Sequence, residues 1–263
     1  MADLDGKRAL VVGASSGVGK ACGVALVRHG AHVVFTARRA ERLAEAVAEA
    51  GGGCAVSLDV TSQASIEHGV EQALENLGGF DLVLYVAGMS PIASLRTVTS
   101  EQLQTIFAVN TFGPIHVIAA CLAHAADDAI FAVVSSDSSH QPRHSLVPYA
   151  ASKAAMEATM EGWRTEELGG RRFMTVLIGP TQPSEFAANF TEAEFMNVIP
   201  HWGRQGFRTG TQRGDDVGEH LAVSFASLFR APTLGMETLL LRAPEPAAPL
   251  ANFGVDNQEV WGS

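Results

Sequence analysis

Short apolar runs alternate with stretches of helical length along nearly the whole of this 263-residue chain. Seven of the runs have the length and composition of strands that are buried on both faces of a sheet. They are Leu10–Val12, Val33–Thr36, Ala55–Leu58, Leu82–Val86, Ile130–Ser135, Thr175–Ile178 and Leu239–Leu241. Amphipathic segments predicted as helices lie between them, at 20–29, 40–50, 65–77, 101–124, 151–168 and 216–229. Because strands that alternate with helices form parallel sheets, the sequence predicts an α/β fold with helices on both faces of a parallel sheet of about seven strands.

The alternation continues without a long linker or a repeat, so residues 1–243 are predicted to form one domain. A tail covering residues 244–263 follows, and it begins with Pro244, Pro246 and Pro249. Three closely spaced prolines favour an extended path. The tail has two open interpretations: a loose segment, or an arm that packs on a neighbouring subunit through Phe253 and Trp261.

Charge and cysteine content narrow the classes of partner and compartment. The chain has 18 basic and 28 acidic residues, a formal net charge of −10, which argues against nucleic acid and anionic membrane surfaces as partners. We expect no membrane span and no signal peptide, since Met1–Asp5 is acidic and no apolar run of about eighteen residues is evident. Cys22, Cys54 and Cys121 form no Cys-x-x-Cys pair, so neither disulfides nor a thiolate metal site is predicted. The expected location is the cytoplasm.

A glycine-rich turn follows the first predicted strand, and three chemistries compete for it. Its sequence is Gly13-Ala14-Ser15-Ser16-Gly17-Val18-Gly19-Lys20. A nucleoside triphosphate P-loop requires glycine where Val18 stands and a hydroxyl residue where Ala21 stands. A serine hydrolase could use Ser15 in a Gly-x-Ser-x-Gly turn, but only 12 residues precede Gly13, too few for the strands that this fold places earlier. Dinucleotide binding remains, because such a turn lets backbone N–H groups and a helix N-terminus approach a phosphate closely.

Tyrosine and lysine are scarce in this chain, yet one of each forms a pair. Of 2 tyrosines and three lysines, Tyr149 and Lys153 lie four residues apart, which places them on one face of a predicted helix. Composition alone gives such a pair a chance of roughly 0.02. A phenol is a weak base near neutral pH, and a nearby ammonium favours its ionised form. Ser136 ends the fifth predicted strand, and its hydroxyl could bind the same substrate oxygen as Tyr149. The alternative is an ordinary exposed pair.

These motifs together resemble the short-chain dehydrogenase/reductase family over nearly the whole chain up to about residue 241. The shared features are the Gly-x-x-x-Gly-x-Gly turn, Ser136, the Tyr149-x-x-x-Lys153 pair, and Asn110 within the predicted helix 101–124. The resemblance implies a single Rossmann-type, doubly wound sheet and hydride transfer between a nicotinamide cofactor and a carbonyl or secondary alcohol. It implies that Tyr149 transfers the proton, that Lys153 binds the cofactor ribose and tunes Tyr149, and that Asn110 holds a water near Lys153.

The resemblance also implies which residues contact the cofactor. They are Gly13, Ser15, Ser16, Gly17, Val18, Gly19, Arg38, Arg39, Asp59, Val60, Ala87, Gly88, Tyr149, Lys153, Pro180 and Ser184. NADP(H) is predicted because Ala37 stands where members that prefer NAD have an acid, and because Arg38 and Arg39 follow it. Guanidinium groups suit a phosphate dianion better than a ribose hydroxyl. The alternative is that Arg39 and Arg42 only solvate the start of a helix.

The sequence departs from the family pattern at several positions. Tyr85-Val86 stands where family members have two asparagines, Ser139 stands in place of a glycine, and Ser184 stands in place of a threonine. The Pro-Gly pair of the family appears in the opposite order, as Gly179-Pro180. No Asp-Gly-Gly follows the last predicted strand. None of these changes removes Ser136, Tyr149 or Lys153, so we expect an enzyme. The alternative is an NADP(H)-binding protein of the same fold without catalytic activity.

Three predicted loops, 89–95, 138–147 and 184–202, surround the substrate site, and residues of about 184–214 form a lid. The lid is rich in aromatic and aliphatic residues, which favours an apolar small-molecule substrate or, alternatively, packing of the lid on the core. His140 and His144 lack a third ligand, so no metal is predicted. The predicted helix 101–124 is apolar on more than one side, and family members are similar in assembling there, so a homotetramer or homodimer is expected.

Overall fold

The apolar runs become the strands of one sheet in the computed structural model, which describes residues 3–182, 190–206 and 210–244. The strands are β1 (Arg8–Val12), β2 (His32–Ala37), β3 (Cys54–Ser57), β4 (Phe80–Tyr85), β5 (Ala125–Ser136), β6 (Arg172–Ile178) and β9 (Thr238–Leu241). All neighbours pair in parallel, in the order β3-β2-β1-β4-β5-β6-β9. The predicted seven-stranded parallel sheet is therefore confirmed. Leu58 and Val86, predicted as strand residues, lie just past the ends of β3 and β4.

The helices cover both faces of this sheet. They are α1 (Gly17–Arg28), α2 (Ala40–Ala50), α3 (Gln63–Leu77), α4 (Ser100–Phe107), α5 (Gly113–Leu122), α6 (Val147–Glu166), α7 (Glu192–Arg204) and α8 (Gly214–Arg230). Buried residues of α1, α2 and α8 pack on one face of the sheet, and those of α3, α5 and α6 pack on the other. This is the predicted doubly wound arrangement, in which ligands bind where the carboxyl ends of the strands meet.

The predicted helix 101–124 is interrupted at its centre by a π-helical turn, Ala108–Phe112, which joins α4 to α5. Thr99 and Gln102 form the capping box of α4, as its Thr-x-x-Gln pattern indicates. Within the turn the Gly113 N–H bonds to Ala108 O, so the Val109 carbonyl loses its ordinary helical donor. Pro114, the next in line, has no N–H to offer. The buried Tyr85 hydroxyl donates to Val109 O instead, at 2.6 Å.

The same helical stretch is long and apolar, although no membrane span was expected from the sequence. Among the described residues, Ser100–Leu122 is a helical stretch of 23 residues that contains an 18-residue window with a mean hydropathy of 1.6, long and apolar enough to cross a membrane. Length and composition are weak grounds, because apolar helices that pack against a core have the same properties. Here Val117, Ile118 and Cys121 are buried against the sheet.

Residues 184–202 were predicted as a loop, and this prediction was wrong from Glu192 onward, where α7 begins. Two short strands, β7 (Thr181–Gln182) and β8 (Gln212–Arg213), pair in parallel, and α7 lies between them in the sequence. Thr191 and Glu194 form a capping box at the start of α7, a signal that the sequence contains, and Pro200 lies inside the helix. The predicted lid therefore contains a helix. All of the predicted tail except Pro244 lies outside the described residues.

Candidate active site

The carboxyl ends of β1 to β5 and the first turns of α6 enclose a cavity of about 650 Å³. It is lined by most of the residues predicted to contact a cofactor: Gly13, Ser15, Ser16, Gly17, Val18, Gly19, Arg38, Arg39, Asp59, Val60, Ala87, Gly88, Tyr149 and Lys153. Sequence reasoning missed several further lining residues: Leu58, Thr61, Met89, Thr105, Val109, Val134, Ser135 and Ile178. Many of these residues are next to predicted positions or at the ends of predicted strands, and this proximity could have identified them from the sequence.

Two predicted cofactor contacts are not placed at this cavity. Pro180 is not among the lining residues, and its carbonyl accepts a hydrogen bond from Gln212 N at 2.9 Å, beside the small β7–β8 sheet. The Gly179-Pro180 turn therefore contacts β8 through this hydrogen bond. Ser184 lies outside the described residues.

The glycine turn between β1 and α1 is packed too closely for side chains. A Cβ on Gly13 would lie 2.5 Å from Ala87 N, and one on Gly19 would lie 2.1 Å from Gly13 O. Gly13 also has φ +91°, a conformation that favours glycine. Helix α1 begins without an acidic residue in its first turn and without a side-chain cap from Ser16. The positive end of its dipole therefore faces the cavity, as an anion such as a pyrophosphate requires.

Three arginines, Arg38, Arg39 and Arg42, line the cavity beyond this turn. Arg39 Nη2 donates to Ser15 Oγ at 3.0 Å and lies 3.4 Å from Ser16 Oγ, which places its guanidinium at the mouth of the turn. Ser15 therefore contacts an arginine, whereas the hydrolase alternative requires a histidine partner. Lys20 forms an ion pair with Glu49 at 2.8 Å and is not a lining residue.

The other end of the cavity is formed by buried side chains. Tyr149 and Lys153 share one face of α6 and are 7% and 3% exposed. The hydroxyls of Tyr149 and Ser136 share a hydrogen bond, and Ser138 N donates to Ser136 Oγ at 3.1 Å. Burial raises the pKa of Tyr149 to about 12 and lowers the pKa of Lys153 to about 8. Lys153 Nζ donates to Val134 O at 2.7 Å.

Asn110 in the π turn is fully buried, and its side-chain amide holds three elements together. Its Oδ1 accepts from Met89 N at 2.9 Å, and its Nδ2 donates to Met89 O at 2.8 Å and to Ser152 Oγ at 2.9 Å. A Cβ on Gly88 would lie 3.5 Å from both Asn110 Oδ1 and Lys153 Nζ. The Asn110 amide is thus bound to protein groups on the side of Gly88 where Lys153 also lies, and the prediction that it holds a water near Lys153 stays a prediction.

Comparison with known proteins identifies the family to which this arrangement belongs. The sequence model of the short chain dehydrogenase family matches residues 7–194. The chain belongs to the short-chain dehydrogenase/reductase family. Members of this family are oxidoreductases that use a nicotinamide cofactor and act on small molecules.

Relatives within the short-chain dehydrogenase/reductase family cover different shares of the chain. Short-chain dehydrogenase/reductase FrzI of Cladobotryum sp is 32% identical over 74% of this chain and 78% of its own length. Sorbitol dehydrogenase of Cereibacter sphaeroides is 36% identical over 44% of this chain, and the match spans only 46% of that relative. A short chain dehydrogenase from Burkholderia cenocepacia J2315, solved in complex with NADP, superposes with a TM-score of 0.79 at 25% identity, covering 91% of this chain and 97% of that one.

Beside the site of this short-chain dehydrogenase, a charged cluster that sequence reasoning missed connects Ser136 to α7. Asp137 binds Arg143 at 3.3 Å, and the Arg143 guanidinium lies 5.9 Å from the Trp202 ring centroid. Trp202 Nε1 donates to His144 O at 2.8 Å, and the rings of His144 and His201 stack at 4.0 Å. The described part of α7 therefore packs against the loop that follows the predicted catalytic serine.

The histidines considered as metal ligands have other contacts. His140 pairs with Glu157 at 3.0 Å, and His144 stacks on His201. Within residues 3–182, 190–206 and 210–244, no three His, Cys, Asp or Glu side chains are grouped so that they could hold a metal ion.

Proposed function

We propose that this protein is an NADP(H)-dependent oxidoreductase that transfers a hydride between the nicotinamide and a carbonyl or secondary alcohol substrate of apolar character. One observation carries the proposal: Tyr149 and Lys153 line the same cavity as the glycine turn, with Ser136 bonded to Tyr149. A proton donor and a phosphate-binding turn in one cavity are what a nicotinamide-dependent reduction requires.

NADP(H) rather than NAD(H) is proposed because of the charge at the end of β2. Arg38, Arg39 and Arg42 would bind the 2′-phosphate of the adenosine ribose, and Ala37 offers no carboxylate to repel it. The N-terminus of α1 would bind the pyrophosphate, Asp59 and Val60 would lie at the adenine, and the Ala87–Gly88 turn at the ribose. The NADP complex of the Burkholderia relative supports this choice.

The chemistry follows from the protonation states of the buried groups. NADPH, when bound, supplies the hydride. The Tyr149 hydroxyl, whose pKa is raised to about 12 by burial, stays protonated near neutral pH and can donate its proton to a carbonyl oxygen. Ser136 would orient that oxygen, and the Lys153 ammonium would stabilise the phenolate left on Tyr149. Asn110 fixes the Met89 backbone and α6 around them. Its role in holding a water stays a prediction.

The experiment that tests this function follows absorbance at 340 nm with NADPH or NADH and a panel of ketones, aldehydes and quinones. We expect turnover with NADPH, and a loss of at least about 10³-fold in Tyr149→Phe because the proton donor is gone. The same variant should bind NADPH with a dissociation constant within a few-fold of wild type. Binding without turnover across the panel would favour the non-catalytic alternative. Full activity in Tyr149→Phe would remove Tyr149 from the mechanism.

We also propose that the chain assembles as a homotetramer or homodimer, with the α4–α5 face as the contact. Phe112 in the π turn is 50% exposed on this face, and its ring lies 6.4 Å from that of Phe107, so an apolar pair is available for contact with a second subunit. The cytoplasmic location stays a prediction.

A further inference from the structure

Two neighbouring residues of β5, Val134 and Ser135, each form a hydrogen bond with one side chain of α6. Val134 O accepts from Lys153 Nζ at 2.7 Å, and Ser135 Oγ donates a short hydrogen bond to Glu157 Oε1. Lys153 and Glu157 are four residues apart within α6, so they lie on one face of the helix. The strand therefore fixes an ammonium and a carboxylate one helical turn apart on α6.

The second oxygen of this carboxylate also has a partner. His140 Nε2 lies 3.0 Å from Glu157 Oε2, and the Glu157 side chain is 17% exposed against 65% for His140. Ser135 from the strand and His140 from the loop beyond it thus hold one oxygen each. A carboxylate bound at both oxygens is held in one position.

Several charged or titratable groups face Lys153 and Tyr149 from the elements around them. Tyr149 and Glu157 belong to α6 itself, while Asp137, His140 and Arg143 come from the segment after β5. The charge of Asp137 is matched by Arg143 at 3.3 Å. The π turn contributes the neutral Asn110. Glu157 is the carboxylate whose charge acts on Lys153.

We propose that Glu157 is a positioning residue of this active site, which keeps the buried Lys153 in its charged form and is itself held in place by Ser135 and His140. This inference rests on the proposed function, since it assigns Lys153 to the reaction. Burial lowers the pKa of Lys153 to about 8, and the Glu157 carboxylate opposes that decrease. Without Glu157, the ammonium would be lost at a lower pH. Tyr149 would then lose the positive charge that stabilises its phenolate, while the direct repulsion by which the Glu157 charge raises the pKa of Tyr149 would also be gone.

Because lysine is scarce in this chain, the protonation of Lys153 can be measured directly. The chain contains Lys7, Lys20 and Lys153 alone, so a full-length sample labelled with ¹³C at lysine Cε gives three signals, and Lys153→Met identifies the one from Lys153. Titration from about pH 6 to pH 11 reports the midpoint of Lys153 without any need for turnover. In Glu157→Gln, which keeps a hydrogen-bonding oxygen but no charge, we expect the midpoint to fall by about 0.5–1 pH unit.

Two further variants serve as comparisons. Glu161→Gln removes the same charge one turn further along α6, where the Glu161 side chain is 70% exposed and paired with Arg164, and it should leave the midpoint of Lys153 unchanged. Glu157→Asp keeps the charge on a shorter side chain and should give a midpoint between those of wild type and Glu157→Gln. An unchanged midpoint in Glu157→Gln, or an equal decrease in Glu161→Gln, would overturn the proposal.

The kinetic readout is the pH profile of carbonyl reduction with NADPH. Because the reaction needs Lys153 charged, the alkaline limb of the profile should move to lower pH in Glu157→Gln by the same amount as the midpoint. A limb that stays in place while the midpoint moves would overturn the role in the reaction. Absence of turnover in the wild-type protein would count against the proposed function, and the lysine titration would still decide whether Glu157 holds the charge of Lys153.

Discussion

The two ends of the cavity are constructed in different ways. At one end, where we propose that the cofactor phosphates bind (the phosphate end), backbone groups of the glycine turn and the exposed side chains of Arg38 and Arg39 line the cavity. At the other end, where we propose that the hydride transfer takes place (the reaction end), Asn110 and Lys153 are buried and hydrogen-bonded to other parts of the protein. Substitutions of the arginines at the phosphate end should therefore change cofactor affinity alone. Substitutions of its glycines should change stability as well. Substitutions at the reaction end should change stability and turnover together, because the groups that react also hold the fold.

Asn110→Ala should have the largest effect of the substitutions that test this difference. It leaves the N–H and C=O of Met89 without their side-chain partner, whereas the Ser152 hydroxyl still donates to Tyr149 O. Orphaned buried polar groups cost about 1–3 kcal/mol each, so we expect a loss of about 3–5 kcal/mol in the free energy of unfolding, measured with urea. Asn76→Ala is the matched control, since the Asn76 amide bonds to Gln72 O on an exposed surface. Equal losses in the two variants would contradict the distinction.

Gly13→Ala tests the exception at the phosphate end. The new Cβ would lie 2.5 Å from Ala87 N at a residue with φ +91°, and we expect a loss of about 2–4 kcal/mol in stability together with weaker NADPH binding. Gly51→Ala separates the two causes, because Gly51 has φ +71° and nothing within 4 Å of the added atom. It should cost only about 1 kcal/mol, the conformational part. Calorimetric unfolding of both variants gives the comparison.

Arg39→Ala should have the smallest effect on the fold and a selective effect on binding. Arg39 is exposed and donates to Ser15. Losing one charge-assisted contact to a phosphate weakens binding by about 1.5–2.5 kcal/mol, so the dissociation constant of NADPH should rise about 10- to 70-fold. The constant for NADH should change far less, and Arg230→Ala, an exposed arginine at the end of α8, should change neither. Equal weakening for both cofactors would place the 2′-phosphate elsewhere.

Local patterns were enough to predict the sheet, the glycine turn and the Tyr149–Lys153 pair, whereas the other cavity residues were predicted from the resemblance to the family. The strands were found from apolar runs, and the turn of Gly13 and the pair of Tyr149 and Lys153 from spacing, because each is a property of a short segment. Strand β5 was predicted too short, since Asp127 and Asp128 interrupt its apolar pattern although β5 begins at Ala125. Helix α7 was missed although Thr191 and Glu194 give it a capping box, and it contains Pro200, a residue that usually interrupts helices.

Contacts between distant segments could not be predicted in this way. Ser135 and Glu157 are 22 residues apart, and only the packing of α6 on β5 brings them together. Asp137 and Arg242 lie on opposite sides of β6 in the sequence, yet the parallel order of β5, β6 and β9 places them 3.8 Å apart. Such pairs have no periodicity or local spacing to reveal them.

The π turn at Ala108–Phe112 also constrains which insertions and deletions the chain can tolerate. An α-helix turns by about 100° per residue, so deleting one residue here would restore ordinary helical pairing and rotate α4 by that angle relative to α5. Asn110 would then lose its hydrogen bonds to Met89 and Ser152, and Val109 O would lose its hydrogen bond from the Tyr85 hydroxyl. The length of this segment is thus as restrictive as its composition, and a shortened relative would need a different residue beside Lys153.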